Sequence, residues 1–92
     1  MIHSFADKET EALWARHSAK RFRAFERIAL RKLAQLDAAL SPDDLRAPPG
    51  NRLEALKGDH RGQMSIRIND QWRVCFRWTR LGAEDVEIAD YH

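Results

Sequence analysis

The segment 64–78, MSIRINDQWRVCFRW, alternates apolar and polar residues on both sides of the polar triplet Asn69-Asp70-Gln71. That pattern leaves the chain little freedom. Strand side chains alternate between two faces, so a slip of one residue sends every buried side chain to the wrong one. Met64, Ile66 and Ile68 must therefore share a face with Trp72, Val74, Phe76 and Trp78. A two-residue turn at Asn69-Asp70 would pair Arg67 with Trp72 and mix the two sets. A three-residue loop, Asn69-Asp70-Gln71, pairs Ile68 with Trp72, Ile66 with Val74 and Met64 with Phe76. Asn69 or Asp70 can take the left-handed turn position. The same pairing sets Arg67 opposite Arg73, Ser65 opposite Cys75 and Gln63 opposite Arg77.

The rest of the chain supplies a cover for the apolar face. Residues 1–5 read as a short first strand with Ile2 as its apolar contact, and Asp7 as the cap of a helix running to about residue 17. Leu13 and Trp14 lie on the apolar side of that helix, with Thr10 and His17 on the same flank. A second helix is expected over 20–39, because Phe22, Phe25, Ala29, Leu33, Leu36 and Leu40 recur at steps of three and four. Arg23, Arg27, Arg31 and Lys32 occupy its other side. Ser41-Pro42-Asp43-Asp44 starts a short helix that Pro48-Pro49-Gly50 ends. Beyond it Leu53 and Ala55 begin a strand, Gly58 and Gly62 bracket a turn, and Val86 and Ile88 define the last strand. The expected fold is α+β: one domain over residues 1–92, with two N-terminal helices against an antiparallel meander of three to four strands.

Two cations directly opposite each other on a sheet destabilise it by up to roughly 1 kcal/mol. An anion between Arg67 and Arg73 would turn that cost into binding, and phosphate matches the guanidinium fork. Otherwise the two arginines extend into water or pair with Glu87 on the next strand. The surroundings favour a polyanion. Residues 46–80 carry eight basic and three acidic side chains, although the net charge of the chain is only +2. Arginine far outnumbers lysine. Lys57 borders the same region, and the chain ends Asp90-Tyr91-His92. Phosphodiester cleavage needs a proton acceptor, a proton donor and cations for the developing charge. Lys57, Arg67, Arg73, Asp90, Tyr91 and His92 could supply all three.

Other chemistries are poorly served. His3, His17, His60 and His92 show no ligand spacing and no carboxylates cluster for magnesium, so neither a metal nor another cofactor is expected. Cys75 has no disulfide partner in the chain; on the arginine side, neighbouring cations would lower its pKa. No apolar run reaches the length of a membrane span, and charges interrupt residues 1–20 where a secretory leader would be apolar. The expected location is the cytoplasm.

Five stretches, MIHSF, KLAQLDAA, PPGNRLEALKGD, GQMSIRINDQWRVCF and VEIADYH, stand in an order and spacing similar to the HigB toxins of bacterial type II toxin–antitoxin pairs, in the RelE/ParE superfamily. The chain most resembles the GraT-like subgroup. The resemblance implies two helices packed on a curved antiparallel sheet. It also implies a metal-independent, ribosome-dependent endoribonuclease that cuts messenger RNA in the decoding (A) site by attack of the ribose 2′-hydroxyl. The implied partners are a helix-turn-helix antitoxin like HigA, the ribosome with its message, and operator DNA through the antitoxin complex. By the same resemblance Arg73 holds the scissile phosphate, and Arg67 and Lys57 neutralise charge. Asp90 or His92 moves a proton, and Tyr91 orients or stacks on a base. Arg52, Arg61 and Arg77, with Arg23, Arg27 and Arg31, are assigned to RNA contacts. Some relatives carry His-Pro where this chain has Glu54-Ala55, so an imidazole is missing there. Two other readings are a ParE-like poison of gyrase without nuclease activity and a plain nucleic-acid-binding module with salt-sensitive affinity.

Overall fold

The structure, a computed structural model, describes residues 1–17 and 19–90. It contains two α-helices, α1 (Lys8–Trp14) and α2 (Glu26–Ala38), and a sheet of four antiparallel strands in the order β1-β2-β3-β4. The strands are β1 (Glu54–Ala55), β2 (Met64–Arg67), β3 (Trp72–Thr79) and β4 (Gly82–Asp90). The β2–β3 hairpin has the pairing that the alternation demands. Met64 faces Phe76, Ile66 faces Val74, Ser65 faces Cys75 and Arg67 faces Arg73. The backbone N–H of Ile68 donates to the Trp72 carbonyl at 2.9 Å, and the Asn69 side chain accepts from Gln71 and Trp72 N–H, which closes the three-residue loop. Ile66, Val74, Phe76, Val86 and Ile88 are buried against Leu13, Phe22, Ala29, Leu33 and Leu36 from the helical half.

The helices are shorter than their periodicity suggests. α1 stops at Trp14 instead of continuing to about residue 17. Arg16 adopts φ 68°, and the N–H groups of Arg16 and His17 bond back to the carbonyls of Leu13 and Ala12. That is a Schellman closure, made here without the usual glycine. The segment expected as one helix over 20–39 divides into a 3₁₀ stretch, Lys20–Phe25, and α2. In a 3₁₀ turn residues three apart eclipse each other. Phe22 and Phe25 thereby both reach the Trp72 ring, at centroid distances of 5.9 and 5.2 Å. The chain becomes extended at Ala39, so Leu40 leaves the apolar stripe and is 90% exposed.

The first residues do not form a full strand. They run parallel to β4 through two isolated bridges, Ile2 to Ala83 and Phe5 to Val86. Ser4 and Thr10 side chains accept from Asp85 and Ile88 N–H, so the outer edge of β4 is closed by the N-terminal segment and α1. Gly82 is obligatory at this seam: its φ is +120°, and a Cβ there would stand 2.3 Å from the Met1 carbonyl oxygen.

Between the halves, Asp44 reaches back to the N–H of Leu40 and Ser41 to start the 3₁₀ turn Pro42–Arg46. Asn51 then anchors the connection. It is fully buried, donates to Gln35 and to the Leu45 and Ala47 carbonyls, and accepts from Lys32 Nζ. Next to it Arg52 turns left-handed, at φ 46°, and the chain enters β1. Replacing Asn51 by Ala strands those carbonyls and the Lys32 ammonium. Asn51→Ala should lower stability by about 2–3 kcal/mol, read as a fall in the urea midpoint; a midpoint equal to wild type would show that the connection is anchored otherwise.

Candidate functional site

The sheet face away from the helices carries Arg67 and Arg73 side by side, and each is held by its own partner. Arg67 pairs with Asp70 of the hairpin loop. Arg73 lies down across the sheet and its side chain is only 12% exposed. Its Nε donates to Ser65 Oγ at 2.7 Å, and its Nη2 donates to the carbonyls of Arg52 (2.6 Å) and Ser65 (3.4 Å). Glu54 on β1, half-exposed, stands 3.8 Å from the same Nε. The carboxylates that meet these cations are thus Asp70 and Glu54, not Glu87. The Nη1 group of Arg73 makes no hydrogen bond to a described residue, so one side of the guanidinium is engaged and the other is left for an acceptor.

Glu54 enters the site through backbone geometry. It pairs with Ser65, Ser65 pairs with Cys75, and Cys75 pairs with Glu87, so these four share the arginine face. Ser65 and Cys75 are buried there. Neither Ser65 nor Glu54 is among the expected site residues. The signal for Ser65 was a small polar residue at a strand centre, one diagonal step from an arginine. The signal for Glu54 was its place where some relatives carry histidine.

The remaining basic residues surround this point unevenly. Lys57 and Arg61 flank the exposed 3₁₀ turn Gly58–His60. Arg77 is 3.5 Å from Asp85 and passes over Gly62, where an added Cβ would lie 3.1 Å from its Nη1. Arg52 contributes its carbonyl to Arg73, and its own side chain is exposed. Arg23, Arg27 and Arg31 line an open hollow of about 550 Å³ with Phe25 and Ile28. Burial, then the nearby charges of Arg31 and Arg67, pull the Lys32 ammonium below its usual pKa. The basic row of α2 therefore approaches the sheet at Arg67.

Asp90 is set differently. It pairs with Trp72, whose ring packs among Phe22 and Phe25, and it accepts from Gln71 Nε2 at 2.9 Å. Directly opposed residues share a face, so its carboxylate belongs to the helix side at the rim of the sheet, not to the Arg73 side. Tyr91 and His92 lie outside the described residues.

Cys75 departs from expectation in the opposite sense. Burial, reinforced by Glu87, raises its pKa from 9.0 to about 11, and the Arg73 cation only partly offsets this. Among the described residues no group of histidine, cysteine and carboxylate side chains could hold a metal ion, and no helix is long and apolar enough to cross a membrane. The Cys75 shift predicts a slow thiol. At pH 8 its thiolate fraction is about a hundredfold below that of a thiol at 9.0. Disulfide-exchange labelling of the native protein should be slower than that of the urea-unfolded chain by at least about that factor. Equal rates would show that the thiol is not held in this way. Because folding favours the protonated thiol, this contribution to stability is complete below pH 9 and is lost as the pH rises towards 11.

Comparison with known proteins agrees with this architecture. Residues 3–92 match the family model of the HigB-like RelE-like toxin of type II toxin–antitoxin systems. Toxin HigB-1 of Vibrio cholerae is 44% identical over 82 residues, covering 85% of this chain and 84% of that protein. An uncharacterised protein of Haemophilus influenzae is 36% identical over 52 residues, 56% of this chain and 52% of its own length. The fold is shared with the YoeB–YefM complex from Staphylococcus aureus (TM-score 0.62, 16% identity, 100% of this chain and 98% of that one). A YoeB/ParE toxin from Agrobacterium tumefaciens is similar too (TM-score 0.57, 17% identity, 99% and 98%). With the match running through the hairpin, the arginine face and nearly the whole chain, the protein belongs to the HigB family of RelE-like toxins of type II toxin–antitoxin systems.

Proposed function

We propose that the chain acts as one toxin domain that cuts messenger RNA in the ribosomal A site, in the cytoplasm, and that a helix-turn-helix antitoxin of the HigA kind neutralises it. The pair would also occupy its own operator. The observation that carries the nuclease reading is the Arg73–Glu54 pair on the sheet face: a guanidinium with one side unengaged and a carboxylate 3.8 Å away. These are the groups that a phosphate and an adjacent hydroxyl require.

In this reading the ribosome presents the RNA and Arg73 binds the non-bridging oxygens of the scissile phosphate. Glu54 takes the proton of the ribose 2′-hydroxyl, filling the role of the absent imidazole. The 2′-oxygen bonds to phosphorus, the bond to the 5′-oxygen breaks, and a 2′,3′-cyclic phosphate and a 5′-hydroxyl result. Arg67 and Lys57 offset the charge that builds on the phosphoryl oxygens. The terminal Asp90-Tyr91-His92 supplies the proton for the leaving oxygen and a ring to stack on a base. Arg23, Arg27 and Arg31 with Arg52, Arg61 and Arg77 meet RNA phosphates around the cut. The chain itself supplies every group in this scheme, without a metal or other cofactor.

Primer extension on messages from cells expressing the protein should show cuts confined to translated frames. Arg73→Ala should reduce cleavage at least about a hundredfold, and Glu54→Gln roughly tenfold to a hundredfold, each measured on protein that still unfolds in one cooperative transition above the assay temperature. Full-rate cleavage by the Arg73 variant would remove that residue from the mechanism. Undiminished toxicity after deletion of Tyr91-His92, with messages intact, would favour gyrase poisoning instead.

A further inference from the structure

We propose that Ser65 is a positioning residue for Arg73, and that its hydroxyl fixes which edge of the guanidinium meets RNA. The inference rests on the nuclease reading above and adds to it a residue that touches neither substrate nor reacting atoms.

An exposed arginine samples many rotamers, so a phosphate seat built from one must first order it. Here the ordering is already complete. Ser65 sits at the centre of β2 with no exposed surface, between Glu54 on β1 and Cys75 on β3. Arg73 is one diagonal step away, opposite Arg67, and lays its side chain back over the serine. Its Nε–H donates to Ser65 Oγ at 2.7 Å and its Nη2 to the Arg52 carbonyl at 2.6 Å. Both bonds use the same edge of the planar guanidinium. The second Nη2 hydrogen has only a long contact, 3.4 Å, to the Ser65 carbonyl, and Nη1 at the opposite end, which bonds no described residue, is left for an acceptor. A guanidinium has no acceptor of its own, so the serine must offer a lone pair to this arginine, and the bond has one polarity.

Among the described residues, alanine at position 65 removes the only acceptor for Nε other than Glu54. The guanidinium can then turn its side edge towards the Glu54 carboxylate, 3.8 Å away, and form a fork with it. Such a fork would withdraw both groups from the substrate together. Loss of Ser65 therefore acts on the chemical step and not on docking to the ribosome.

Single-turnover cleavage of a message on purified ribosomes tests this, alongside ribosome affinity and thermal unfolding. Ser65→Ala should slow cleavage roughly tenfold to a hundredfold, with affinity within about twofold of wild type. Ser65→Thr, which keeps the oxygen, should recover the rate to within about threefold. In an Arg73→Ala background, Ser65→Ala should change the residual rate by less than about twofold, because its target is gone. If the alanine variant does not fold, Ser65→Cys, a weak acceptor of similar size, takes its place in the same cycle. Wild-type cleavage with the serine variant equally fast overturns this inference alone, as do losses that multiply in the double variant. A wild-type protein that leaves the message intact overturns the nuclease reading and this inference with it.

Discussion

Two cations placed opposite each other on neighbouring strands repel, and the whole arginine face is arranged around that repulsion. The apolar alternation of β2 and β3 allows no other pairing, so Arg67 and Arg73 cannot be separated by a slip of the strands. They are parted sideways instead. Asp70 draws Arg67 towards the hairpin loop, while Ser65, Glu54 and the Arg52 carbonyl draw Arg73 across β2 towards β1. β1 has only two residues, yet one of them is Glu54. The left-handed turn at Arg52, set by buried Asn51, aims a carbonyl at the second cation. Core alternation, the inter-half connection and the candidate site are thus one construction.

What could be read from the sequence divides along physical lines. Strand pairing was legible because a period of two with one buried face admits a single solution, and Met64, Ile66, Val74 and Phe76 enforce it. Helix ends were not, because each is decided by tertiary contact. α1 closes at Arg16, a residue with no special claim to a left-handed conformation, whose guanidinium bonds the Trp14 carbonyl and lies over the Trp14 ring. The break before Glu26 serves the packing of Phe22 and Phe25 on Trp72, which lies far along the chain. The pairing of the N-terminal segment with β4 is equally non-local, and the kink at Asp85, φ 53°, gives no glycine signal.

The candidate site was legible in part for the same reason. The opposition of Arg67 and Arg73 follows from alternation, whereas their partners follow from where loops fall. Asp70 and Glu54 are found only once the hairpin loop and β1 are placed. Asp90 carried a sequence signal that the motif obscured. Val86 and Ile88 lie on the buried face, and two residues further along the same face is position 90. An acid on that face, at the rim beside Gln71 and Trp72, can serve the arginine side only from around the end of the sheet.

A cation already paired with a carboxylate is a poor seat for phosphate, and that weakness suits a ribosome-dependent nuclease. Under the proposed mechanism Glu54 and the RNA phosphate compete for Arg73 before reaction, so that the protein alone would hold RNA loosely and binding energy would come from the ribosome. When the 2′-hydroxyl gives its proton to Glu54 in this mechanism, that carboxylate would become neutral and its claim on the guanidinium would fall. At the same moment negative charge grows on the phosphoryl oxygens. Arg73 would therefore interact more strongly with the transition state than with the ground state, which is the condition for an interaction to raise a rate and not merely tighten binding. The pairing that makes the resting site look neutral is, in this scheme, what makes its charge available when the bond breaks.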